Sequence, residues 1–292
     1  MTVDNFALII GTMKGGTTSL FNYLAQHPQA APCNYKEPNF FAYQSNFNKG
    51  FDYYQSLWNW RSDTHKIAVE ASVNYTRTSL TDVMNSAENI AKYKDRAKFK
   101  FIYILRNPID RIESHYAHGI AYKTKKNPDR TTQALDKEIL DTSKYAKQIA
   151  EYYQRFSSEN ILLLNFDDLK QNPLNLMQKV CQFLEIDSDY QFQNLNSIYN
   201  DGGNKKIRVN WYGLNIPMKA KIHRLLRQIP SSYKQPLHNL LGGKTHNNFT
   251  LSQEQKDYIV RELAADLRSL NQTYGFDISR WGLNLKTPAL EK

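Results

Sequence analysis

A stretch of glycines and hydroxyl-bearing residues follows the first apolar run of the chain. Gly11–Gly16 contains three glycines and Lys14, and the hydroxyl residues Thr17–Ser19 come directly after it. Glycines allow a backbone to approach a phosphate closely, and the N–H groups that begin a helix point outward at such a group. Hydroxyl donors and a lysine add to the attraction for an anion. We therefore predict that Gly11–Ser19 is a phosphate-binding loop.

This loop departs from the ATP-binding pattern GxxxxGK[ST] at the lysine. Gly11 and Gly16 have the right separation, but Thr17 stands where that pattern requires lysine. An ATP-dependent kinase needs the lysine on the β- and γ-phosphates and a carboxylate for Mg²⁺ after a strand. Asp167 and Asp168 do follow an apolar run, so the carboxylate is present in the sequence. The displaced lysine favours another phosphate donor, with a P-loop-like ATP-dependent kinase as the alternative.

The same loop resembles the 5′-phosphosulfate-binding loop of sulfotransferases that use 3′-phosphoadenosine 5′-phosphosulfate (PAPS). That family carries a strand, then G-x-x-K-x-G-T-[ST]-x-L, then a helix, and Gly11–Leu20 matches throughout. The resemblance implies a P-loop-like sulfotransferase fold, PAPS as donor, 3′,5′-ADP as product and no metal. It assigns donor binding to the loop residues Lys14, Gly15, Gly16, Thr17, Thr18 and Ser19.

A second element of this family binds the 3′-phosphate of the donor. It is a strand that ends in arginine, with a serine about two turns into the next helix. Arg106 follows the apolar run 101–105, and Ser114 lies eight residues later. A guanidinium makes a forked contact with a phosphate, and a helix hydroxyl supplies a further donor. The resemblance therefore assigns Arg106 and Ser114 to the 3′-phosphate.

A late basic segment is similar to the family by composition and position. Asp201–Arg208 contains two glycines and carries Lys205, Lys206 and Arg208. Similar enzymes fold such a loop over the adenosine and the 3′-phosphate. We predict that the three basic residues bind the donor as a group, and a solvated basic turn is the alternative.

Sulfuryl transfer also needs a base for the acceptor's proton. Lys36–Phe41 reads KEPNFF, and it resembles the K-E-x-x-F-F segment that carries the catalytic glutamate of heparan-type and many bacterial sulfotransferases. The resemblance makes Glu37 the general base and gives Lys14 the task of stabilising the transferring group. A surface ion pair between Lys36 and Glu37 is the alternative for this segment. The competing bases are His65, His115 and His118.

One position departs from the heparan-type pattern. Val69–Tyr75 resembles the segment V-E-K-x-x-x-Y, but Ala71 stands in place of the lysine that helps arrange charge at the acceptor. This difference argues against a sulfated-polysaccharide acceptor. Glu70 could contact the acceptor or structure the site, and Tyr75 could equally belong to the core. The residues that we predict to line the acceptor cleft are Phe40, Glu70, Asn74, Tyr75 and His115.

Aromatic residues make up 13% of the chain, and many of them cluster between Phe40 and Trp60. Tyrosine and tryptophan suit a ring-bearing acceptor, and they suit ordinary packing equally. We predict transfer to a hydroxyl or an amine of a small metabolite, natural product or saccharide, in secondary metabolism.

The elements that position these residues are apolar runs separated by helical stretches. The predicted strands are Phe6–Ile10, Ile67–Val69, Lys100–Leu105 and Ile161–Asn165. The predicted helices are Thr17–Gln26, one that begins near Ile109, Leu135–Phe156, Pro173–Leu184 and Ser252–Tyr274. This alternation predicts an α/β fold with a central parallel sheet and helices on both faces, and ligands bind beyond the carboxyl ends of such strands. Two long segments, Ala31–Arg61 and Asn194–Pro217, look irregular and suit binding loops or lids.

The composition bounds the class of protein. The 292 residues are 41% hydrophobic and 23% charged, which is ordinary globular usage and excludes a disordered chain. We expect a single domain over residues 1–292, as a monomer or homodimer. The net charge of +10 suits an anionic partner, but no nucleic-acid-binding motif is present. A nucleic-acid-binding protein is therefore a second rival beside the kinase, and a small-molecule acceptor is the expected partner.

The location follows from what the chain lacks. No run approaches the about 20 apolar residues that a membrane-spanning helix requires. Cys33 and Cys181 are far apart, and we expect two free thiols rather than a disulfide. The expected location is the cytoplasm.

Overall fold

The computed structural model describes residues 3–121, 131–132, 135–195 and 249–285. Its centre is a five-stranded sheet in which all the paired strands are parallel and the order is β2-β3-β1-β4-β5. The strands are β1 (Asn5–Gly11), β2 (Ala30–Pro32), β3 (Ile67–Ala71), β4 (Lys98–Leu105) and β5 (Ile161–Asn165).

Helices connect the strands. In the described ranges they are α1 (Thr17–Leu24), α2 (Gln44–Phe47), α3 (Phe51–Gln55), α4 (Ser86–Ala91), α5 (Pro108–Ala121), α6 (Lys137–Asp141), α7 (Tyr145–Tyr153), α8 (Phe166–Gln171), α9 (Pro173–Leu184) and α10 (Gln253–Tyr274). Short 3₁₀ turns cover Val73–Thr76, Ser158–Asn160 and Ser279–Trp281. No helix of the described ranges is long and apolar enough to cross a membrane.

The two central strands, β1 and β4, are buried on both faces. Residues 6–10 and 101–105 are fully shielded from solvent. Leu8 pairs with Phe101 and Ile9 with Ile102 in the parallel register. Because both faces of such a strand are covered, its sequence is a continuous apolar run rather than an alternating one. This explains why these strands could be predicted from the sequence.

One face of the sheet is aliphatic and is covered by α1, α8 and α9. Ile9 of β1 and Ile102 and Ile104 of β4 point to this face, since alternate residues of a strand share a side. The helical residues of the same buried cluster include Leu20, Leu24, Phe166, Leu169, Val180 and Leu184.

The opposite face is aromatic. The ring of Phe6 in β1 lies 5.1 Å from the ring of Tyr54 in α3. The ring of Phe101 in β4 lies 4.9 Å from that of Tyr152 in α7. Helices therefore cover both faces, and the predicted α/β fold with a central parallel sheet is confirmed.

A buried arginine divides a segment that the sequence predicts as one helix. Leu135–Phe156 contains two helices, α6 and α7, with a break at Thr142–Lys144. Arg111 of α5 is fully buried, and its Nε donates to Ser143 Oγ at 2.6 Å. Its guanidinium also donates to the carbonyl of Ile139. These bonds hold the turn between the two helices, and a local pattern does not reveal them.

The two segments predicted as irregular have different outcomes. Ala31–Arg61 is more ordered than predicted, because it holds the end of β2 and the short helices α2 and α3. Asn194–Pro217 lies outside the described residues except for its first two positions. Lys205, Lys206 and Arg208 also lie outside the described residues, so their binding of the donor stays a prediction. Cys33 and Cys181 are both free and buried, as expected.

The contacts within the chain divide it into two compact units. The larger unit comprises residues 1–115, 128–199 and 251–292 and contains the whole sheet. The smaller unit comprises residues 116–127 and 200–250. Among its described residues, the rings of Tyr116 and Phe249 lie 5.0 Å apart. The single domain over residues 1–292 stays a prediction.

Candidate active site

The loop between β1 and α1 is tied to the end of the neighbouring strand. The Thr12 N–H donates to the carbonyl of Ile104 in β4 at 2.9 Å, and the Gly15 N–H donates to the carbonyl of Thr12 at 2.9 Å. Lys14 has a φ of 70° and Gly16 a φ of 97°, so the chain turns through the left-handed region twice. The loop is therefore a tight cradle rather than a simple connection.

Glycine is required in this cradle by close packing. A Cβ atom at Gly15 would lie 2.7 Å from the carbonyl oxygen of Ile104. At Gly16 it would lie 2.7 Å from Cδ2 of Phe166, in addition to the strain of a positive φ. The backbone itself thus forms the surface that an anion would approach.

Helix α1 begins immediately after the cradle. It starts at Thr17 with no side-chain cap and no acidic residue in its first turn. The hydroxyl-bearing residues Thr17 and Ser19 are buried, and Thr18 is partly exposed. Uncapped N–H groups and the positive end of the helix dipole favour an anion at this position. The geometry agrees with the predicted phosphate-binding role of this loop.

Arg106, the predicted second anchor, lies against the first. One guanidinium nitrogen, Nη1, donates to the carbonyl of Lys14 at 3.2 Å. The guanidinium carbon lies 4.9 Å from the centre of the Phe166 ring. Its Nε is buried and has no hydrogen-bond partner in the part of the chain that the structure describes. The structure therefore brings a guanidinium with spare donor capacity to the edge of the glycine loop.

Ser114 lies on α5, which begins at Pro108. The side chain of Asn107 accepts a hydrogen bond from the N–H of Ile109 at 2.9 Å and so fixes the start of this helix. Ser114 lies six positions after Pro108, which is nearly two helical turns. Ser114 is partly exposed, as a binding hydroxyl must be.

The carboxylates that would hold Mg²⁺ in a kinase are engaged elsewhere. Asp168 pairs with the guanidinium of Arg280. Asp167 lies 3.9 Å from the ammonium of Lys170 on the same helix. Within the described ranges, no three His, Cys, Asp or Glu side chains are grouped to hold a metal.

Glu37, the predicted base, lies in a bent loop after β2. We call residues Glu37–Phe41 the base loop. Glu37 has a φ of 62° and Asn39 a φ of 49°. The carboxylate of Glu37 is about one third exposed and lies 2.6 Å from the ammonium of Lys36. The ion pair that was the alternative for this segment therefore forms, and it leaves the carboxylate of Glu37 partly open to solvent.

The base loop is held by residues that follow β3. The Asn39 N–H donates to Ser72 Oγ at 3.0 Å, and its side-chain carbonyl accepts from Asn74 Nδ2 at 3.2 Å. The Phe41 N–H donates to the hydroxyl of Tyr75 at 3.4 Å. The loop after β2 and the turn after β3 thus form one hydrogen-bonded unit at the carboxyl edge of the sheet.

A buried carboxylate lies beneath this unit. Glu70 of β3 is fully shielded from solvent. It accepts hydrogen bonds from the hydroxyls of Tyr54 at 2.7 Å, Tyr75 at 2.9 Å and Ser72 at 2.6 Å. Burial raises the pKa of Glu70 to about 7, although the three hydrogen bonds favour its charged form.

Most of the residues predicted to line the acceptor cleft are buried. Phe40, Glu70 and Tyr75 are at most 1% exposed, and His115 is 5% exposed beside the guanidinium of Arg111. Only Asn74 is partly exposed. The structure therefore favours the structural alternative for Glu70 and the core alternative for Tyr75.

Sequence reasoning missed the residues that hold the base loop. Ser72 and Asn39 form its central hydrogen bond, and the hydroxyl of Tyr54 in α3 donates to Glu70 in β3. Ser72 could have been found, because it lies three residues after the predicted strand Ile67–Val69, near the end where polar residues approach ligands. Nothing in the sequence distinguishes Tyr54 from the other aromatic residues around it.

The competing histidines have different surroundings. His65 lies near Arg61, whose N–H donates to His65 Nδ1 at 2.9 Å. Burial and then the charge of Arg61 lower the pKa of His65. His115 is buried on α5, and His118 lies one turn further along that helix. Their role as alternative bases stays a prediction.

The comparison with protein families identifies the class of this chain. A family described as "Sulfotransferase domain" matches residues 4–262. The match covers far more than half of the 292 residues, so the chain belongs to the sulfotransferase family. The predicted family is confirmed.

Two curated relatives illustrate the similarity. The chain is 29% identical over 194 residues to human "Heparan sulfate glucosamine 3-O-sulfotransferase 5". The aligned part covers 62% of this chain and 53% of the relative. It is 30% identical over 208 residues to Xenopus laevis "Bifunctional heparan sulfate N-deacetylase/N-sulfotransferase 1", which covers 63% of this chain and 23% of the relative. The chain thus spans about half of the first relative and about a quarter of the second.

A solved structure supports the fold. The sulfotransferase from Alicyclobacillus acidocaldarius superposes with a TM-score of 0.65 and 19% identity, covering 97% of this chain and all of the other. This likeness confirms the predicted P-loop-like sulfotransferase fold.

The glycine cradle can be tested by adding one methyl group. We expect Gly16→Ala to destabilise the protein by about 1–3 kcal/mol more than Gly275→Ala, because the added Cβ also meets the ring of Phe166. Gly275 is the matched control, since it has a φ of 66° and no atom within 4 Å of an added Cβ. Urea unfolding measures both free energies. Equal losses for the two variants would contradict close packing at Gly16.

The buried carboxylate predicts how stability depends on pH. The folded pKa of Glu70, about 7, lies above its ordinary value of 4.5, so the folded state holds this proton more tightly. The contribution of this proton to the free energy of unfolding is fully present below pH 4.5 and is lost as the pH rises through 7. A shift of this size corresponds to about 3 kcal/mol. Relative to Glu70→Gln, the wild type should therefore lose stability between pH 5 and 8.

Urea unfolding at several pH values checks this expectation. Glu88→Gln on α4 is the matched control, because Glu88 is 58% exposed and the change should leave the pH dependence of stability as in the wild type. Parallel stability curves for the wild type and Glu70→Gln would show that Glu70 does not keep its proton in the folded state.

Proposed function

We propose that this protein transfers a sulfuryl group from PAPS to a hydroxyl or an amine of an acceptor. The observation that carries the proposal is the contact of Arg106 with the carbonyl of Lys14, 3.2 Å apart. It supports the proposal because two elements suited to anions, the glycine cradle and Arg106, then lie side by side at the ends of β1 and β4. A donor with phosphates at both its 5′ and 3′ positions needs two such elements.

The described residues fit this donor. The glycine cradle would receive the 5′-phosphosulfate on its backbone N–H groups. These groups are not covered by side chains, because a side chain at Gly15 or Gly16 would collide with the strand or with Phe166. The buried Nε of Arg106 lacks a partner among the described residues and would bind a phosphate oxygen. The donor supplies an activated sulfuryl group and leaves as 3′,5′-ADP.

Glu37 is the base in this proposal. Its carboxylate would take the proton of the acceptor's hydroxyl or amine while that oxygen or nitrogen forms a bond to sulfur. The bond from sulfur to the phosphate oxygen breaks, and that oxygen keeps the electron pair. Lys14 and the N–H groups at the start of α1 would stabilise the developing negative charge. The partial exposure of Glu37 supports this role, since an acceptor must reach it.

The acceptor is a saccharide, a small metabolite or a natural product. The names of the relatives describe heparan sulfate as their substrate, which supports a saccharide. Ala71 in place of the heparan-type lysine points away from a sulfated polysaccharide, and its side chain is fully buried in the aliphatic core. A cytoplasmic location, a role in secondary metabolism and a monomeric or homodimeric state belong to the same proposal.

A thermal-shift measurement tests the donor. At about 100 times its dissociation constant, 3′,5′-ADP should add about 2.7 kcal/mol to the stability and raise the melting temperature by a few degrees. ATP with Mg²⁺ and 5′-AMP should have little effect, because neither carries a 3′-phosphate for Arg106. Stronger stabilisation by ATP with Mg²⁺ would contradict the proposal and favour the kinase alternative.

Two substitutions separate binding from chemistry. Glu37→Gln should keep the 3′,5′-ADP shift and lower turnover by about 10²–10⁴-fold, since it removes the base and leaves the residues of the donor site unchanged. Lys14→Ala should lower both the 3′,5′-ADP shift and the turnover, because Lys14 belongs to the proposed donor site. Turnover is measured as the 3′,5′-ADP released from PAPS with a panel of phenol, amine and saccharide acceptors. Full activity of Glu37→Gln would make a histidine the base, and Glu88→Gln controls for loss of an exposed carboxylate.

A further inference from the structure

The proposed chemistry makes no use of Glu70, although it is a fully buried carboxylate close to the base loop. Each of its oxygens accepts at least one hydroxyl hydrogen. Oε1 accepts from Tyr54 at 2.7 Å and from Tyr75 at 2.9 Å. Oε2 accepts from Ser72 at 2.6 Å. A carboxylate in this position sets the direction in which each of the three hydroxyls points.

Two of the three hydroxyls also hold the base loop. Ser72 Oγ accepts from the N–H of Asn39 at 3.0 Å, and the hydroxyl of Tyr75 accepts from the N–H of Phe41 at 3.4 Å. A hydroxyl that donates its hydrogen to a carboxylate keeps its lone pairs for a second partner. Glu70 is thereby linked to the backbone of the base loop through two relays, which are the hydroxyls of Ser72 and Tyr75.

We propose that Glu70 is a positioning residue, which through Ser72 and Tyr75 fixes the base loop and hence the direction of the Glu37 carboxylate. The catalytic role of Glu37 in this statement rests on the proposed function. The positioning itself does not, because it concerns only hydrogen bonds within the protein.

The base loop needs such support. Its residues Glu37 and Asn39 both have positive φ angles, of 62° and 49°. Residues other than glycine adopt this conformation only at a cost, and they keep it where surrounding bonds hold them. The relays reach the loop at the N–H of Asn39, which is one of these two residues, and at the N–H of Phe41.

Protonation of Glu70 would loosen the relays. A protonated carboxyl oxygen donates instead of accepting, so one of the three hydroxyls must turn its hydrogen away. Burial raises the pKa of Glu70 to about 7, which places this change near neutral pH. Glu70 thus couples the order of the base loop to pH.

Other titratable groups face Glu70 from the elements packed around it. They are Cys33 after β2, Glu37 of the base loop, Tyr54 of α3, Tyr75 after β3 and Tyr152 of α7. Burial raises the pKa of the thiol of Cys33 to about 12 and raises that of each of the three phenols well above its ordinary value. The thiol and the phenols therefore stay neutral between pH 6 and 8.5.

Hydrogen–deuterium exchange of the whole protein, read by mass spectrometry, tests the proposal without donor or acceptor. In the wild type, protection of the base-loop amides, corrected for intrinsic exchange, should rise as the pH rises through about 7. Glu70→Gln and Ser72→Ala should lower this protection about tenfold at pH 8.5, as expected for losing a hydrogen bond to a charged network. Glu70→Gln should also abolish its pH dependence.

Tyr54→Phe is the matched control. Tyr54 donates to Glu70 but makes neither relay to the base loop. This variant should keep the wild-type protection at high pH and move the midpoint to higher pH, because the carboxylate loses one hydrogen bond. A peptide from Phe101–Leu105 in the central strand reports global unfolding.

Wild-type protection of the base loop in both Glu70→Gln and Ser72→Ala would overturn the proposal. If Glu70→Gln unfolds and the strand peptide also exchanges, Ser72→Ala decides, because it keeps the carboxylate and breaks one relay. If the exchange results are as expected while PAPS is not turned over, Glu70 positions the loop and the proposed function is wrong. If PAPS is turned over, a fall in kcat without loss of the 3′,5′-ADP shift in Glu70→Gln shows that positioning serves the base.

Discussion

Hydrogen bonding between the ends of β1 and β4 is the constraint on which the site depends. The Thr12 N–H binds the carbonyl of Ile104 at 2.9 Å where β1 ends, and Arg106 binds the carbonyl of Lys14 at 3.2 Å where β4 ends. Neighbouring parallel strands end at the same edge of a sheet, so the loop after one strand lies beside the residue after the next. The glycine cradle and Arg106 are therefore adjacent because the two strands are.

Two buried charged groups fix the connections around this edge. Glu70 and Arg111 are both fully shielded from solvent, and both are bound by hydroxyl or carbonyl groups of neutral residues. Burial raises the pKa of Glu70 to about 7 and lowers that of Arg111 to about 10. Burying such groups costs free energy unless their hydrogen bonds are made. Each one therefore imposes a particular backbone, the base loop for Glu70 and the turn between α6 and α7 for Arg111.

The predictions from sequence were most successful where structure depends on neighbouring residues. The apolar runs at β1, β4 and β5 became strands, and the helix Pro173–Leu184 has the predicted bounds. The three-residue strand β2 was missed, because Ala30–Pro32 is too short to show a pattern and depends on pairing with β3. The single helix predicted over Leu135–Phe156 was wrong, because Arg111 binds its middle from another helix.

The sequence by itself determined the family and the parallel sheet, and it located the glycine-rich loop and the Arg106–Ser114 pair that we propose to bind the donor. These features depend on short spacings, such as the glycines around Lys14 and the eight residues from Arg106 to Ser114. Only the tertiary structure decided which polar residues are buried and what they bind. The bond between Asn39 and Ser72 joins residues 33 apart in the chain, and that between Tyr54 and Glu70 joins residues 16 apart. No local pattern encodes such partners, because the packing of the sheet against its loops brings them together.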